Sequence, residues 1–338
     1  MASIKVYLTA VSTSINDLQQ ANATTNYHNG TMYLGWDFKD PNYNEQHPII
    51  EKDLSFLGAI TVSSVTLTRN ASSGSGTGTF NASMSRVRRT DWDDTTSTWT
   101  IYKTASNWST AGGTDTTNDI DITNQFTFTE SIATGDRTFS SDANIVALVQ
   151  DAIDTRTGKL RVLFKSNDTP SGSQSKRIDW NIATYFTITY TGGNTLSAAI
   201  TGTVTTAVES DIVAGGKTII ITLTNETWVS GADFTNALPS IRNNLFSAQS
   251  EAGGWNNKVR FNIPDANIVR TSDTVVTITL QAQADYSITA NETITVTVPY
   301  QATTHGTQFV ASPTFTITNE GTPPVTAKPQ RSRMGFGL

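Results

Sequence analysis

The chain has 338 residues, a formal net charge of −6 and no cysteine, and charged side chains make up only 15% of it. That length is long for one compact domain and suits two, since domains usually contain roughly 100–200 residues. The lack of cysteine excludes a disulfide framework, a thiolate metal site and a cysteine nucleophile, and the mild, dispersed charge argues against nucleic-acid binding.

The composition favours an all-β protein. Threonine, serine, asparagine and glycine are abundant, and β-branched threonine suits a half-buried pleated surface better than a helix. The opening segment, MASIKVYLTAVSTS, has one lysine and only a short apolar run. It lacks the apolar region of a signal peptide and any membrane span, so we expect synthesis in the cytoplasm without a secretory signal and no membrane partner.

Short β-branched or alternating segments between turn residues predict the strands of a first antiparallel domain. They cover residues 4–11, 32–38, 60–68, 126–129, 160–164 and 186–190. The segment NASSGSGTG at residues 70–78 has little side-chain bulk and much backbone freedom. It is therefore expected to be an exposed flexible loop.

One helix is predicted within this first domain. Ser141 or Asp142 can cap its start, and apolar residues then recur at helical spacing at positions 145, 146, 148, 149 and 153. Gly158 lies where the turn after the helix would fall. A short helix with one apolar stripe commonly closes an open end of a β-sandwich, so we expect a structural role.

A glycine pair at residues 192 and 193 separates two series of strands. We predict a β-sandwich domain over residues 1–192 and a second over residues 195–320, the latter with strands at 198–206, 218–224, 274–280 and 293–299. The second domain has one predicted helix, capped by Asp233, with Pro239 in its first turn. Residues 321–338 lack periodicity and contain three cations and no acid, which predicts an extended basic tail.

The polar segment RVRRTDWDDTTSTWTIYKTASNWSTAGG, residues 86–113, contains three tryptophans. Such rings either pack into a β-core with bonded N–H groups or form a platform on which sugar rings stack. Trp99 lies in the strand-like STWTIY and favours the core, whereas Trp108 has polar neighbours and favours exposure. Packing is the favoured interpretation. Under the other, the candidate glycan-stacking residues are Trp92, Trp108 and Tyr102.

Candidates for chemistry are few. Asp91, Asp93 and Asp94 could supply oxygen ligands to a structural Ca²⁺, but a solvated acidic loop is the favoured interpretation, so no metal site or cofactor is predicted. The histidines, at positions 28, 47 and 305, share no metal-ligand spacing and are expected at the surface or in turns. Nothing in the sequence places two carboxylates across a cleft, and no glycine-rich phosphate loop is present. Neither catalysis nor nucleotide binding is therefore predicted.

Several motifs of the first half occur in an order typical of one family. They are Asn26-Tyr27-His28-Asn29-Gly30, Asp53-Leu54-Ser55, VSSVTL at 62–67, and the aromatic residues Trp92, Trp99, Tyr102 and Trp108 before Gly112-Gly113, followed by the helix at 144–153. On these motifs residues 1–192 resemble the DNRLRE domain family. The resemblance implies a jelly-roll sandwich of the type found beside carbohydrate-active and cell-surface modules.

The second half contains IIITLTNETW at residues 219–228, IVRTSDTVVTITL at 268–280 and YSITANETITVTVP at 286–299. With these phrases residues 195–320 resemble an Ig-like domain that recurs in virion proteins of tailed phages. The resemblance implies a non-enzymatic structural component of a phage particle. It brings no catalytic or glycan-contact residue with it.

These resemblances together predict a virion protein, in particular a capsid decoration or head-spike component that forms dimers or trimers. Its expected partners are other virion proteins such as the major capsid protein, on which the basic tail would dock through Lys328, Arg331, Arg333 and Phe336. The alternative is an adhesion module of a tail fibre or spike that binds host surface glycans. A secreted carbohydrate-binding module is a third interpretation, weakened by the missing signal peptide.

Overall fold

A computed structural model describes residues 1–8, 13–28, 31–39, 42–171, 173–181, 183–309 and 311–321. These residues form an all-β protein built from antiparallel sheets, which confirms the predicted fold class. The strands of the first half are β1 (Ala2–Tyr7), β2 (Thr13–Gln19), β3 (Met32–Lys39), β4 (Asn42–Asp53), β5 (Ile60–Gly76), β6 (Thr79–Val87), β7 (Ile101–Lys103), β8 (Ser106–Asn107), β9 (Ile120–Ser131), β10 (Gly135–Phe139), β11 (Lys159–Ser166), β12 (Lys176–Trp180) and β13 (Tyr185–Gly192). The α-helix α1 (Ala143–Thr155) lies between β10 and β11.

The second half continues with smaller elements. Its strands are β14 (Ser197–Gly202), β15 (Thr218–Thr224), β16 (Leu245–Ser247), β17 (Ile268–Arg270), β18 (Val275–Thr279), β19 (Glu292–Val296), β20 (Thr307–Phe309) and β21 (Thr314–Ile317). Its helices are α2 (Glu209–Ala214), α3 (Gly231–Asn243) and a π-helical turn at Trp255–Val259. None of the helices in the described ranges has the length and apolar character needed to span a bilayer.

Twelve of these strands join in one sheet, in the order β20-β1-β13-β5-β12-β3-β4-β11-β6-β9, with β10 paired to β5 and β2 to β4. Strands from opposite ends of this order share a core, since Ile4 of β1 and Phe126 of β9 belong to one buried cluster. The sheet therefore curls over itself as a sandwich. Alternation decides which side chains enter the core: in β13, Phe186, Ile188 and Tyr190 are buried and the residues between them are half-buried.

The predicted helix of the first half is confirmed as α1. Asp142 is its cap, because its Oδ1 accepts a hydrogen bond of 2.9 Å from the backbone N–H of Ile145. Ser141, the other predicted cap, instead accepts a hydrogen bond of 3.0 Å from the backbone N–H of Val65 in β5. The apolar stripe of α1 joins the core of the sandwich. The helix thus covers one side of that core, in a structural role.

The prediction of an exposed flexible loop at residues 70–78 is correct in the exposure of most of these residues but wrong in the loop. β5 continues to Gly76, and its last part pairs with β12, with Ser75 opposite Arg177. A neighbouring segment comes very close here, since a Cβ on Gly76 would lie 1.8 Å from the backbone oxygen of Ser175. Close backbone approach, and not flexibility, explains the glycine content of this strand.

The second half contains a four-stranded sheet, β14-β15-β18-β17, and a three-stranded sheet, β16-β19-β21. Both contribute to a second core, whose largest members are Trp228 and Trp255. The expectation of a single helix is wrong here, because α2 and α3 both occur. In α3 the cap position is Ser230, Asp233 lies within the first turn, and Pro239 lies inside the helix and not in its first turn as predicted.

Direct contacts, here called the joint, connect the two halves. β20 of the second half pairs with β1, with Lys5 opposite Gln308. Beside this pairing Tyr7 stacks on Tyr300, with ring centroids 3.7 Å apart and planes 7° apart, and the Tyr7 hydroxyl donates to Gln308 Oε1 at 3.0 Å. Each half of the described chain has its own main core, but one strand of the second half extends the sheet of the first. A domain boundary at residue 192 therefore stays a prediction.

Polar groups are buried beside the joint. Glu226 is 2% exposed, accepts a hydrogen bond of 2.7 Å from the Thr307 hydroxyl, and lies 2.8 Å from Nδ1 of His305. The His305 ring stacks on Phe56 of the first half, with centroids 4.4 Å apart. Burial lowers the pKa of Lys52 in β4 to about 7, and the charge of Glu226 opposes that shift. Charged groups of the two halves therefore act on each other.

The predicted basic tail, with Lys328, Arg331, Arg333 and Phe336, lies outside the described residues, which end at Gly321. Just before that point the carboxylate of Glu320 accepts a hydrogen bond of 2.6 Å from the backbone N–H of Ser210. This bond holds the end of the described chain against α2.

Candidate ligand-binding cleft

The tryptophans of the polar segment form a small core of their own. Trp92, Trp99 and Trp108 are 7%, 7% and 4% exposed and pack with aliphatic side chains of β2, β4 and β11. The indole N–H of Trp92 donates to Ser97 Oγ at 3.0 Å, and that of Trp108 donates to the carbonyl oxygen of Thr98 at 3.0 Å. Buried indoles with bonded N–H groups are packing residues. The expectation that Trp108 is exposed is therefore wrong.

Tyr102 lies half-buried at the edge of this tryptophan core. Its ring centroid is 5.5 Å from that of Trp108, 4.7 Å from the guanidinium carbon of Arg89 and 5.6 Å from Lys103 Nζ. These cations lie over the ring where a sugar would have to stack. Trp92, Trp108 and Tyr102 consequently do not form the exposed aromatic platform that the glycan hypothesis placed here.

The three candidate calcium ligands have separate partners. Asp91 pairs with Lys103, Asp93 accepts hydrogen bonds from two threonine hydroxyls, and Asp94 lies 3.0 Å from His28 Nδ1. These hydrogen bonds lower the pKa of Asp91 and the pKa of Asp93. Among the residues that the structure describes, no group of three or more His, Cys, Asp or Glu side chains is placed to hold a metal ion.

The histidines occupy different environments. His28 is exposed, as expected, whereas His47 is only 4% exposed. Nδ1 of His47 lies 3.0 Å from the carbonyl oxygen of Gly112, and its ring centroid is 4.9 Å from that of Trp99. His47 is thus part of the tryptophan core, and the predicted surface or turn position is wrong for it.

A polar cleft of about 350 Å³ lies where β2, β3, β4 and β12 meet. Strand alternation supplies its side chains. In β3 the residues at positions 32, 34 and 36 are buried in the core, and Tyr33 and Asp37, on the other face, line the cleft. The described residues that line the cleft are Gln19, Tyr27, Thr31, Tyr33, Asp37, Asn44, Gln46 and Arg177.

Three amide side chains of the cleft, Gln19, Asn44 and Gln46, are 7%, 3% and 3% exposed. Gln46 of β4 is opposite both Gln19 of β2 and Gly35 of β3, so strand pairing fixes its position from two sides. Oδ1 of Asn44 accepts a hydrogen bond of 2.7 Å from the backbone N–H of Ala21. Oε1 of Gln46 is buried and receives no hydrogen bond from the described residues. A buried acceptor without a donor is costly, so this oxygen has unused hydrogen-bonding capacity at the cleft.

Asp17 of β2 lies next to these amides and is fully buried. Its Oδ2 accepts a hydrogen bond of 2.8 Å from Nε2 of Gln19. Burial raises the pKa of Asp17 to about 8, although that hydrogen bond and the charge of Arg177 both oppose the shift. Asp17 therefore holds its proton at neutral pH and adds no charge to the cleft.

Arg177 is the cation of the cleft, and carboxylates already engage it. It pairs with Asp37, and its Nε donates to Asp179 Oδ1 at 2.7 Å. Its guanidinium carbon also lies 4.8 Å from the ring centroid of Tyr33. Two carboxylates and an aromatic ring thus hold Arg177 in place, and one positive charge faces two negative ones.

Two other clefts have fewer groups suited to binding a ligand. One of about 270 Å³ includes Arg156, Lys159 and Arg161, each of which pairs with a carboxylate. Another, of about 400 Å³, lies beside the end of α1 and includes Asp154. Neither has an aromatic ring among its described lining residues. The polar cleft is therefore the candidate site, because ligand sites usually combine rings with a few placed polar groups.

The sequence does not predict this cleft. Of its lining residues, only Tyr27 belongs to a motif that carries the family resemblance, the one at residues 26–30. The available signal was the polar residues that alternate with apolar ones in single strands, such as Gln19 after Leu18 in β2. That signal shows which residues leave the core, but not which strands come together around a cleft.

No family model and no curated protein sequence matches the chain. Fold and site together define a β-sandwich protein with a polar cleft on its first half. The resemblance of that half to the DNRLRE family, and of the second half to phage Ig-like domains, rests on the sequence motifs alone.

Proposed function

We propose that this chain is a non-enzymatic structural protein of a tailed-phage virion, in particular a capsid decoration or head-spike component. The motifs of the two halves support a virion protein. The structural observation that carries the proposal is the joint, in which β20 extends the sheet of the first half and Tyr7 stacks on Tyr300. A component that projects from a shell needs its outer part held rigidly to its anchored part, and strand pairing across the halves provides this.

A surface on the second half supports contact with a second copy of the chain. Phe246 and Phe261 are 53% and 57% exposed, and the guanidinium carbon of Arg260 lies 5.7 and 4.4 Å from their ring centroids. Aromatic rings and arginine are enriched in protein interfaces. Symmetric dimers or trimers on the particle are proposed to use this contact, with the major capsid protein as the anchoring partner. A chain that stays monomeric at high concentration and on the particle would contradict this part of the proposal.

Localisation tests the proposed function. A gold-labelled antibody against the chain, applied to phage particles from a producing lysate, is expected to label icosahedral heads in electron micrographs. Particles from a phage lacking the gene provide the control for unspecific labelling. Label on no particle would contradict the virion assignment.

The second candidate function is adhesion to host surface glycans as part of a tail fibre or spike. The polar cleft favours it, since amides, tyrosines and an unsatisfied acceptor are groups that recognise sugars. The same micrographs separate the two functions, because an adhesion module is expected at the tail tips and a decoration component over the heads. The proposed glycan contacts move from the tryptophan core to this cleft.

A further inference from the structure

We infer that the polar cleft binds an uncharged saccharide, which donates hydroxyl hydrogen bonds to the amides and packs one face on Tyr27. The inference rests on the second candidate function, adhesion to glycans, and specifies the class of ligand. It concerns the cleft lined by Gln19, Tyr27, Thr31, Tyr33, Asp37, Asn44, Gln46 and Arg177.

The cleft has hydrogen-bonding capacity that the described residues do not satisfy. Oε1 of Gln46 can only accept, and it has no donor among the described residues. Strand pairing on both sides fixes the backbone of Gln46, and its side chain is buried, with the residue only 3% exposed. In the inferred complex a sugar hydroxyl supplies this donor, and a neighbouring hydroxyl bonds the amide of Gln19 or Asn44, because all three residues line the same cleft.

The charges of the cleft are paired within the protein. Arg177 is the only cation among the described lining residues, and Asp37 and Asp179 both pair with it. A sugar carboxylate or sulfate would have to displace one of these partners and would leave an unpaired carboxylate close to another anion. Burial raises the pKa of Asp17 to about 8, so at neutral pH this group places no negative charge beside the cleft. The charges therefore favour a neutral ligand over an acidic one.

The two tyrosine rings of the cleft differ in whether a cation covers them. The guanidinium of Arg177 lies over Tyr33, whose face is thus occupied. Tyr27 is half-buried and lines the cleft, and no other aromatic or cationic side chain of the described residues lies over its ring. The apolar face of a pyranose ring packs on such a ring while the polar edge of the sugar faces the amides.

The experiment uses the full chain and three defined tetrasaccharides. Maltotetraose and the tetramer of N-acetylglucosamine are the neutral probes, and tetragalacturonate is the acidic probe. Binding is measured by saturation-transfer NMR and by calorimetric titration at neutral pH. The variants are Tyr27→Ala, Gln46→Leu and, in the tryptophan core, Tyr102→Ala. Circular dichroism verifies the folding of each variant.

The inference expects at least one neutral probe to bind, with an affinity at least about tenfold lower for Tyr27→Ala and Gln46→Leu and unchanged for Tyr102→Ala. Should Gln46→Leu not fold, Tyr27→Ala, at a half-buried side chain, still measures the effect of the cleft on binding. Preferential binding of tetragalacturonate would overturn the inference and leave glycan adhesion standing. Loss of binding in Tyr102→Ala alone would also overturn it, because the site would then lie at the tryptophan core. Binding of none of the three probes would contradict both the inference and adhesion through this cleft.

Discussion

Trp108 is a central packing residue of the tryptophan core. It is 4% exposed, and its indole N–H is bonded to the carbonyl oxygen of Thr98. Trp108→Ala would leave a large cavity and an orphan acceptor, so we expect it to lower the free energy of unfolding by about 3–5 kcal/mol. Urea unfolding followed by circular dichroism measures this. The control Ile122→Ala, at a side chain that is 48% exposed, should change stability by no more than about 0.5 kcal/mol. Full stability of Trp108→Ala would contradict its packing role.

Asp17 makes stability depend on pH. Its pKa is about 8 in the folded protein and 3.8 when unperturbed, so between these values the folded chain holds a proton that the unfolded chain has lost. The contribution of Asp17 is therefore complete at low pH and is lost as the pH rises towards 8. The free energy of unfolding falls by up to about 1.4 kcal/mol per pH unit across this range.

The substitution Asp17→Asn removes this titration while keeping the shape of the side chain. We expect the stability of the variant relative to the natural chain to increase steadily between about pH 5 and pH 8. Denaturant unfolding at several pH values measures the difference, and Asp91→Asn, at a carboxyl whose pKa a hydrogen bond from Lys103 lowers, is the comparison. Parallel stability curves for Asp17→Asn and the natural chain would show that Asp17 is ionised in the folded protein.

At the scale of the element, β5 depends on glycine at its end. Gly76 has a φ of 98° and Gly78, in the turn that follows, a φ of 86°, so alanine at either position is strained by about 1–2 kcal/mol. At Gly76 the new Cβ would also collide with the backbone oxygen of Ser175, 1.8 Å away, whereas at Gly78 no atom of the described residues lies within 4 Å. We expect Gly76→Ala to be destabilising by about 1–3 kcal/mol more than Gly78→Ala in thermal unfolding. Equal effects would mean that β5 and its neighbour are not in contact there.

Elements with a clear local signal could be predicted from the sequence. Alternation identified β13 and β15, and the cap at Asp142 with the apolar spacing after it identified α1. The end of β5 could not be predicted, because its small residues are set by a neighbouring segment that is distant in sequence. The burial of Trp108 and the assembly of the cleft could not be predicted for the same reason, since both depend on contacts between strands and not on local composition.

At the scale of the whole molecule, the joint is expected to couple the two cores. Gln308→Pro removes a backbone donor from β20 and the acceptor of the Tyr7 hydroxyl. We expect the natural chain to unfold in a single calorimetric transition and the proline variant to unfold in two, because the cores then lose their shared strand pairing. Gln308→Thr keeps the strand and should preserve a single transition. Two transitions in the natural chain would show that the halves are independent despite the joint.

The basic tail gives the last test of how the molecule assembles. Lys328, Arg331 and Arg333 lie among apolar residues in a segment without acids, which suits an acidic, partly apolar shell surface. All described members of the two main cores lie before residue 321, so we expect removal of residues 321–338 to leave the melting temperature unchanged and to cause a loss of incorporation into particles. Immunoblots of purified particles from cells expressing either form measure incorporation.

A full-length variant in which Lys328, Arg331 and Arg333 are changed to glutamine tests whether the charge of the tail, and not its length, is required for incorporation. If the tail docks on an acidic partner, we expect the variant not to be incorporated into particles. We also expect the natural chain to dissociate more readily from isolated particles as the salt concentration rises. Normal incorporation of the truncated chain would contradict docking through the tail.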